Sequence, residues 1–180
     1  MLPCQFRLRD AGRSVLVAGL ALAAALTAAA LPVSTVDFAP AVIANLRDHY
    51  GMDQTAVLRS AIETAVSRAT EGVAVSPGLS ISVTVWDIAP SHPTRRQLAD
   101  DPALDVTRTR FIGGADLGGD VRDAQGQVVA SVMSRYYPLT VGKGSASLDP
   151  WADARLAIDQ FAVKLAAAVR RISPSASPAG

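Results

Sequence analysis

Residues 79–88 read LSISVTVWDI, and this stretch decides the fold class. From Leu79 to Val85 every second residue is large and apolar, and the residues between them carry hydroxyl groups. Alternation of this kind places the two sets of side chains on opposite faces of a β-strand. We therefore expect a strand with one face against a core and the other facing water, which is typical of a sheet that helices cover on one side only.

Three further strands are expected around this one. Residues 33–38 alternate in the same way and are followed by Pro40, which ends the strand. Residues 110–122 and 127–137 form a pair joined by Asp-Ala-Gln-Gly at positions 123–126, a sequence that favours a hairpin turn. The first strand of this pair contains Gly113, Gly114, Gly118 and Gly119. Because no helix follows these glycines, they indicate a bulge or the close approach of a helix rather than a nucleotide-binding loop.

Two long helices complete the predicted fold. Residues 52–71 carry apolar side chains at helical spacing, with Asp53 as the expected N-cap and Gly72 just past the C-terminus. A second apolar stripe runs from Trp151 to Ile172, behind an expected N-cap at Asp149 and a proline at the first helical position. The order β-α-β-β-β-α predicts an α+β two-layer sandwich, in which two principal helices pack on one face of a mainly antiparallel four-stranded sheet.

The first thirty residues have the layout of an export signal. Three arginines precede an uncharged apolar run at residues 15–30, which ends in three alanines. We expect cleavage near Ala30, a periplasmic location, a single mature domain at residues 31–172 and a disordered tail at 173–180. The alternative is an uncleaved membrane anchor formed by residues 15–33, and we expect contact with a membrane only in that case.

Composition excludes several classes of function. The chain carries 17 basic and 16 acidic residues, and loss of residues 1–30 would leave a mature net charge of −1, so we expect no binding to nucleic acid. The single cysteine, Cys4, lies ahead of the apolar run, so the mature chain would have no lipidated cysteine and no disulfide. Two isolated histidines, His49 and His92, do not make a metal site, and no cofactor is expected.

Several short motifs resemble exported proteins and small lipoproteins of Gram-negative bacteria that form a domain of unknown function. The motifs are APSHPTR at 89–95, GGADL at 113–117, DAQG at 123–126, and WADA at 151–154 with Phe161-Ala162. The resemblance covers most of residues 33–172 and implies an exported α+β protein, with no established activity to carry over. More distantly, the element order is similar to that of penicillin-binding-protein activators and of the TolB N-terminal domain. The chain departs from the lipoproteins because it lacks their acylated cysteine.

The connection at residues 87–108 and the end of the last strand carry the candidate contact residues. Thr94 and Gln97 fit a capping box, which predicts a short helix near 95–100. The arginines of this helix either pair with Asp100 and Asp101 or face a partner. The strand parity of Tyr137 leaves its ring outside the core. The predicted partner-contact residues are His92, Arg95, Arg96 and Tyr137.

Two carboxylates, Asp116 and Asp120, share one face of the third strand. A pair of this kind can act as acid and base. The nearby arginines Arg110 and Arg122 instead favour a solvated cross-strand ladder.

No catalytic arrangement is evident in the chain. His92 stands in a Ser-His-Pro-Thr loop, no serine has the surroundings of a nucleophile elbow, and we expect the histidine to be a solvated turn residue. The sequence therefore favours a non-enzymatic exported domain that acts through contacts with a protein of the cell envelope. One alternative is a periplasmic hydrolase that uses His92 with a nearby serine. The other is a carrier of a small apolar ligand, in a cavity lined by Trp86, Phe111 and Phe161.

Overall fold

The computed structural model describes residues 33–73, 77–141 and 146–173. Their elements, in chain order, are β1 (Val33–Phe38), α1 (Pro40–Asn45), a π-helical segment (Leu46–Tyr50), α2 (Gln54–Thr70), β2 (Ser80–Ala89), α3 (Arg95–Asp100), β3 (Gly114–Arg122), β4 (Val128–Tyr136) and α4 (Ala152–Ile172). The predicted export signal and all but Ser173 of the predicted tail lie outside the described residues. No helix in the described ranges is long and apolar enough to cross a membrane.

The four strands form one sheet in the order β1-β2-β3-β4. β1 runs parallel to β2, because α1 and α2 carry the chain back across the sheet, and the two other pairings are antiparallel. The predicted hairpin joins β3 to β4, and Gly126 takes a φ of 78° at its end. The predicted α+β class and the mainly antiparallel sheet are confirmed.

Helices α2 and α4 cover one face of the sheet, and the core lies between these helices and the strands. The alternating apolar side chains of β2 point into this core, where Ile81, Val83 and Val85 are fully buried. Gly119 lets α4 approach β3 closely, since a Cβ atom at this position would lie 2.7 Å from the ring of Phe161. The expectation that a glycine of β3 marks the approach of a helix is therefore confirmed.

Helix starts differ from the predicted ones. α4 begins at Ala152, because the carboxylate of Asp149 accepts the backbone N–H of Trp151 at 3.0 Å and holds the turn that precedes the helix. Asp53 precedes α2 but does not cap it, since its backbone is helical and its carboxylate accepts the side-chain amide of Gln54 instead. Asp149 and Asp53 both lie where an N-cap was expected, but neither side chain makes a capping hydrogen bond to its helix.

The segment from α1 to the π-helical turn was not expected from the sequence. Pro40 does end β1, and it also occupies the first turn of α1, where its missing N–H is tolerated. At six residues, α1 is too short to show a helical period. β3 begins at Gly114, later than predicted, because Phe111 instead donates its backbone N–H to the carbonyl of Ser91.

Candidate functional site

The outer face of the sheet, opposite the helices, carries large apolar side chains that remain exposed. Trp86 is 52% exposed and Met133 is 64% exposed. Both lie on the face that the alternation of β2 and β4 turns away from the core. Val129 on β4 is exposed on this face as well, and aromatic residues and Met are enriched in protein interfaces.

Gly118 brings these two side chains together. It pairs directly with Met133 across the β3–β4 ladder. A Cβ atom at Gly118 would lie 2.8 Å from the indole nitrogen of Trp86 and 3.0 Å from the sulfur of Met133. The indole and the thioether therefore lie side by side over a glycine, and a larger residue at this position would displace them.

An irregularity in β2 turns two consecutive side chains outward. The β2–β3 register shifts between Val85 and Asp87, so Trp86 is an extra residue with no partner in the ladder. Bulges of this kind re-aim side chains. As a result, Trp86 and Asp87 are both exposed, while Val85 and Ile88 on either side of them are buried.

Polar groups flank the exposed apolar pair. Asp87 lies opposite Asp116 on β3, and Asp116 lies opposite Arg135 on β4. The hydroxyl of Tyr137 donates to a carboxylate oxygen of Asp87 at 2.6 Å. The guanidinium of Arg135 lies over the ring of Tyr137, 5.5 Å from its centre. We call this group the outer-face cluster; its members are Trp86, Asp87, Asp116, Met133, Arg135 and Tyr137.

The environment of Tyr137 keeps its hydroxyl protonated. Burial raises the pKa of Tyr137 well above its ordinary value of 10.0, and the hydrogen bond to Asp87 raises it further. Gly114 provides room for the ring, because a Cβ atom there would lie 2.7 Å from it. Tyr137 is therefore a half-buried donor that fixes the orientation of Asp87, and it is less exposed than the sequence suggested.

His92 is buried rather than solvated. Its side chain is 1% exposed, and Nδ1 lies 3.1 Å from the carbonyl oxygen of Val106. The expectation of a solvated turn residue is wrong, because this imidazole binds the two ends of the 87–108 connection together. A side chain with so little exposed surface cannot contact a partner, so His92 is not part of the candidate surface.

The other predicted residues of the connection lie on the surface. The capping box of Thr94 and Gln97 is present, and α3 follows it as expected. Arg95 and Arg96 are exposed, and Arg96 makes an ion pair of 2.6 Å with Asp100, one helical turn away. Thus one of the two arginines forms the local pair that the sequence left open.

The two aspartates of β3 have different surroundings. Asp120 accepts the hydroxyl of Ser131 on β4 at 2.6 Å and lies 3.5 Å from Arg122 on its own strand, so its contact across the ladder is with a serine and its arginine contact runs along β3. Asp116 instead belongs to the outer-face cluster. In the described part of the chain, no group of three or more His, Cys, Asp or Glu side chains is arranged to hold a metal ion.

In the described part of the chain, Trp86 and Phe161 do not line a shared cavity for an apolar ligand. Phe161 is buried on the helix side of the sheet, whereas Trp86 is exposed on the opposite side, so the two rings cannot line a common space. A surface groove of about 700 Å³ lies instead between α2 and α4. An ion pair of 2.7 Å between Arg68 and Asp159 closes part of it.

The sequence singled out three of the six cluster members, Trp86, Asp116 and Tyr137, and gave no indication of the other three. Trp86 belongs to the polar set of the alternating stretch, which was the available signal. The sequence carries no such signal for Asp87, Met133 and Arg135, because the neighbours of these residues depend on the pairing register between strands.

Comparisons with known proteins identify no family. No protein-family model matches the chain, and no curated protein matches it. Among solved structures, it is similar to a minor lipoprotein from Acinetobacter baumannii, with 12% sequence identity and a TM-score of 0.30 over 77% of this chain and 91% of that chain. A TM-score this low supports no conclusion about the fold or function of the chain.

Proposed function

We propose that this chain is an exported binding domain, without catalytic activity, that docks a protein of the cell envelope on the outer face of its sheet. The observation that carries the proposal is the adjacent exposure of Trp86 and Met133 over Gly118. Aromatic and thioether side chains of this kind supply much of the binding energy of protein interfaces when a partner covers them.

The polar groups around the apolar pair also suit a protein partner. Interfaces commonly place a small apolar centre inside a polar rim, and here carboxylates and a guanidinium surround the indole. Export rests on the signal-like residues 1–30.

The two alternatives gain no support from the geometry. A hydrolase would need a nucleophile at the imidazole of His92, and the hydrogen bond of this ring in the described structure goes to a backbone carbonyl. An apolar carrier would need an enclosed cavity, whereas the side chains expected to line it lie on opposite faces of the sheet.

Site-specific photo-crosslinking in the native host tests the proposal. A photo-reactive amino acid replaces Met133 in one variant and Val163 in the matched control. The two side chains are 64% and 63% exposed, on the sheet face and the helix layer respectively. We expect position 133 to yield a discrete crosslinked protein from the periplasm, and position 163 to yield none.

A further variant ties the crosslink to the apolar pair. Trp86→Ala, combined with the photo-reactive residue at 133, should reduce the adduct at least about fivefold, because the indole supplies a large part of the buried contact. Equal adducts at positions 133 and 163, or an adduct that Trp86→Ala leaves unchanged, would overturn the proposal.

A further inference from the structure

We propose that the outer-face cluster receives a cationic side chain of the docked protein, an arginine above all, between the indole of Trp86 and the carboxylates of Asp87 and Asp116. This inference rests on the proposed function and deepens it, since it names the chemistry of the group that the partner must present.

Two like charges face each other in the cluster. Asp87 and Asp116 are direct partners in the β2–β3 ladder, and both side chains are on the outer face. Residues opposite each other on neighbouring strands have Cβ atoms roughly 4.5–5.5 Å apart, and like charges there are destabilising. A sheet that only had to fold would gain from a neutral or basic residue at either position.

The described ion pairs do not neutralise these two carboxylates. The ion pairs in the described ranges join Arg68 to Asp159, Arg96 to Asp100, Arg122 to Asp120 and Arg155 to Asp149. None of them includes Asp87 or Asp116. Arg135 is the cross-strand neighbour of Asp116, but its guanidinium lies over the ring of Tyr137.

The acidic character of the outer face extends from the cluster onto β1. Asp37 on β1 lies opposite Thr84, a residue of the outer set of β2, and is exposed. The described strands therefore carry four carboxylates on this face, those of Asp37, Asp87, Asp116 and Asp120, against the two guanidiniums of Arg122 and Arg135. Arg122 is already paired with Asp120. Charge complementarity thus favours a basic partner segment over an acidic or neutral one.

The cluster combines an aromatic face with carboxylates. A guanidinium within about 6 Å of a Trp ring is attracted to its π face, and its planar fork also matches a carboxylate. The adjacent thioether of Met133 offers an apolar contact for the methylene groups of the incoming side chain. The bond from Tyr137 to Asp87, at 2.6 Å, holds one of the carboxylates in place.

Peptide titration of the purified mature chain tests the inference. The probe is a short blocked peptide with two arginines separated by a serine, and its control carries citrulline, the uncharged isostere, at both positions. Intrinsic fluorescence reports binding, because Trp86 is exposed while Trp151 is 1% exposed. We expect the arginine peptide to bind about tenfold more tightly than the citrulline peptide, with an affinity that falls as salt is raised.

Charge-matched variants assign the effect to the cluster. Asp116→Asn should weaken binding of the arginine peptide by about three- to tenfold. Asp48→Asn removes the same charge from an exposed position in the helix layer and should change binding less than about twofold. Trp86→Phe should remove the fluorescence response.

Each contrary result overturns the inference in a distinguishable way. Equal binding of the two peptides, or equal effects of Asp116→Asn and Asp48→Asn, would show that the cluster does not select a cation. The proposed function would then still stand if the crosslink at position 133 were specific. If sedimentation showed oligomers that Asp116→Asn dissociates, a second copy of the chain would be the occupant, and the inference would be wrong.

Discussion

The contact between Gly119 and Phe161 shows how a single residue without a side chain fixes the distance between helix and sheet. The Phe161 ring is fully buried over the glycine, with Leu165 beside it. A buried aromatic ring of this size contributes through its many close contacts as well as through the apolar surface that it removes from water.

Phe161→Ala should therefore lower the free energy of unfolding by about 3–5 kcal/mol, because the sheet and helix cannot collapse fully into the vacated space. Urea denaturation followed by circular dichroism measures the change. Val163→Ala, at an exposed position of the same helix, serves as the control and should stay within about 0.5 kcal/mol. Similar effects of the two variants would show that Phe161 is not a packing residue of the core.

Tyr137 should make the domain sensitive to alkali. Because burial and the bond to Asp87 raise its pKa, the folded chain keeps the phenol proton at pH values at which the unfolded chain has released it. The contribution of Tyr137 to stability is therefore fully present below pH 10 and is lost as the pH rises from about 10 toward the folded pKa.

Tyr137→Phe should flatten this alkaline decline, measured as the free energy of unfolding at a series of pH values from 8 to 11. Burial also raises the pKa of Tyr50, so part of the decline should remain. Tyr50→Phe is the control, since it retains the bond between Tyr137 and Asp87. If stability fell with pH at the same slope in Tyr137→Phe, the alkaline decline would not come from Tyr137.

At the scale of elements, α3 is a short helix held by its cap rather than by its charged side chains. Thr94 is buried, and its hydroxyl oxygen accepts the backbone N–H of Gln97. The side-chain oxygen of Gln97 in turn accepts the backbone N–H of Thr94. None of the residues of α3 is buried. The exposed arginines of the helix therefore contribute little to folding, since a solvated ion pair one turn apart is worth a few tenths of a kcal/mol.

Arg95→Ala combined with Arg96→Ala should accordingly leave the free energy of unfolding within about 0.5 kcal/mol of its original value. We expect the same variant to leave the yield of the adduct at position 133 unchanged, because α3 packs against the π-helical segment and because two cations would not attract the basic partner segment that the outer-face cluster favours. Calorimetry and the crosslinking assay provide the two measurements. A large loss of stability would make the arginines structural, and a reduced adduct would place α3 in the docking surface.

At the scale of the whole molecule, the two faces of the sheet have different roles. Helices cover one face and supply the apolar burial that stabilises the fold, while the other face is left open along with its indole and carboxylates. A domain built in this way can change its outer side chains without changing its core.

Export of the whole chain is a separate prediction. Periplasmic extract should contain a protein whose N-terminal sequence begins near Leu31, because residues 28–30 offer the small residues that a signal peptidase requires. N-terminal sequencing of the purified protein measures the start. Recovery of the full-length chain from the membrane fraction would instead support the alternative that residues 15–33 form an uncleaved membrane anchor.

The elements were predictable because they depend on local patterns. Alternation at period two located β2, apolar residues at helical spacing located α2 and α4, and short motifs located the hairpin and the cap of α3. Each of these signals acts between residues at most a few positions apart, where the side-chain period is set by backbone geometry alone.

The candidate surface depended on the tertiary structure. Asp87 faces Asp116, and Trp86 lies beside Met133, only because the strands pair in one register and a bulge adds one residue to β2. His92 was misjudged because the carbonyl of Val106 that its ring contacts is fourteen residues away along the chain, so no local pattern indicates the contact. Register is set by how the apolar faces of distant segments pack together, because a shift of one residue would turn every core side chain toward water.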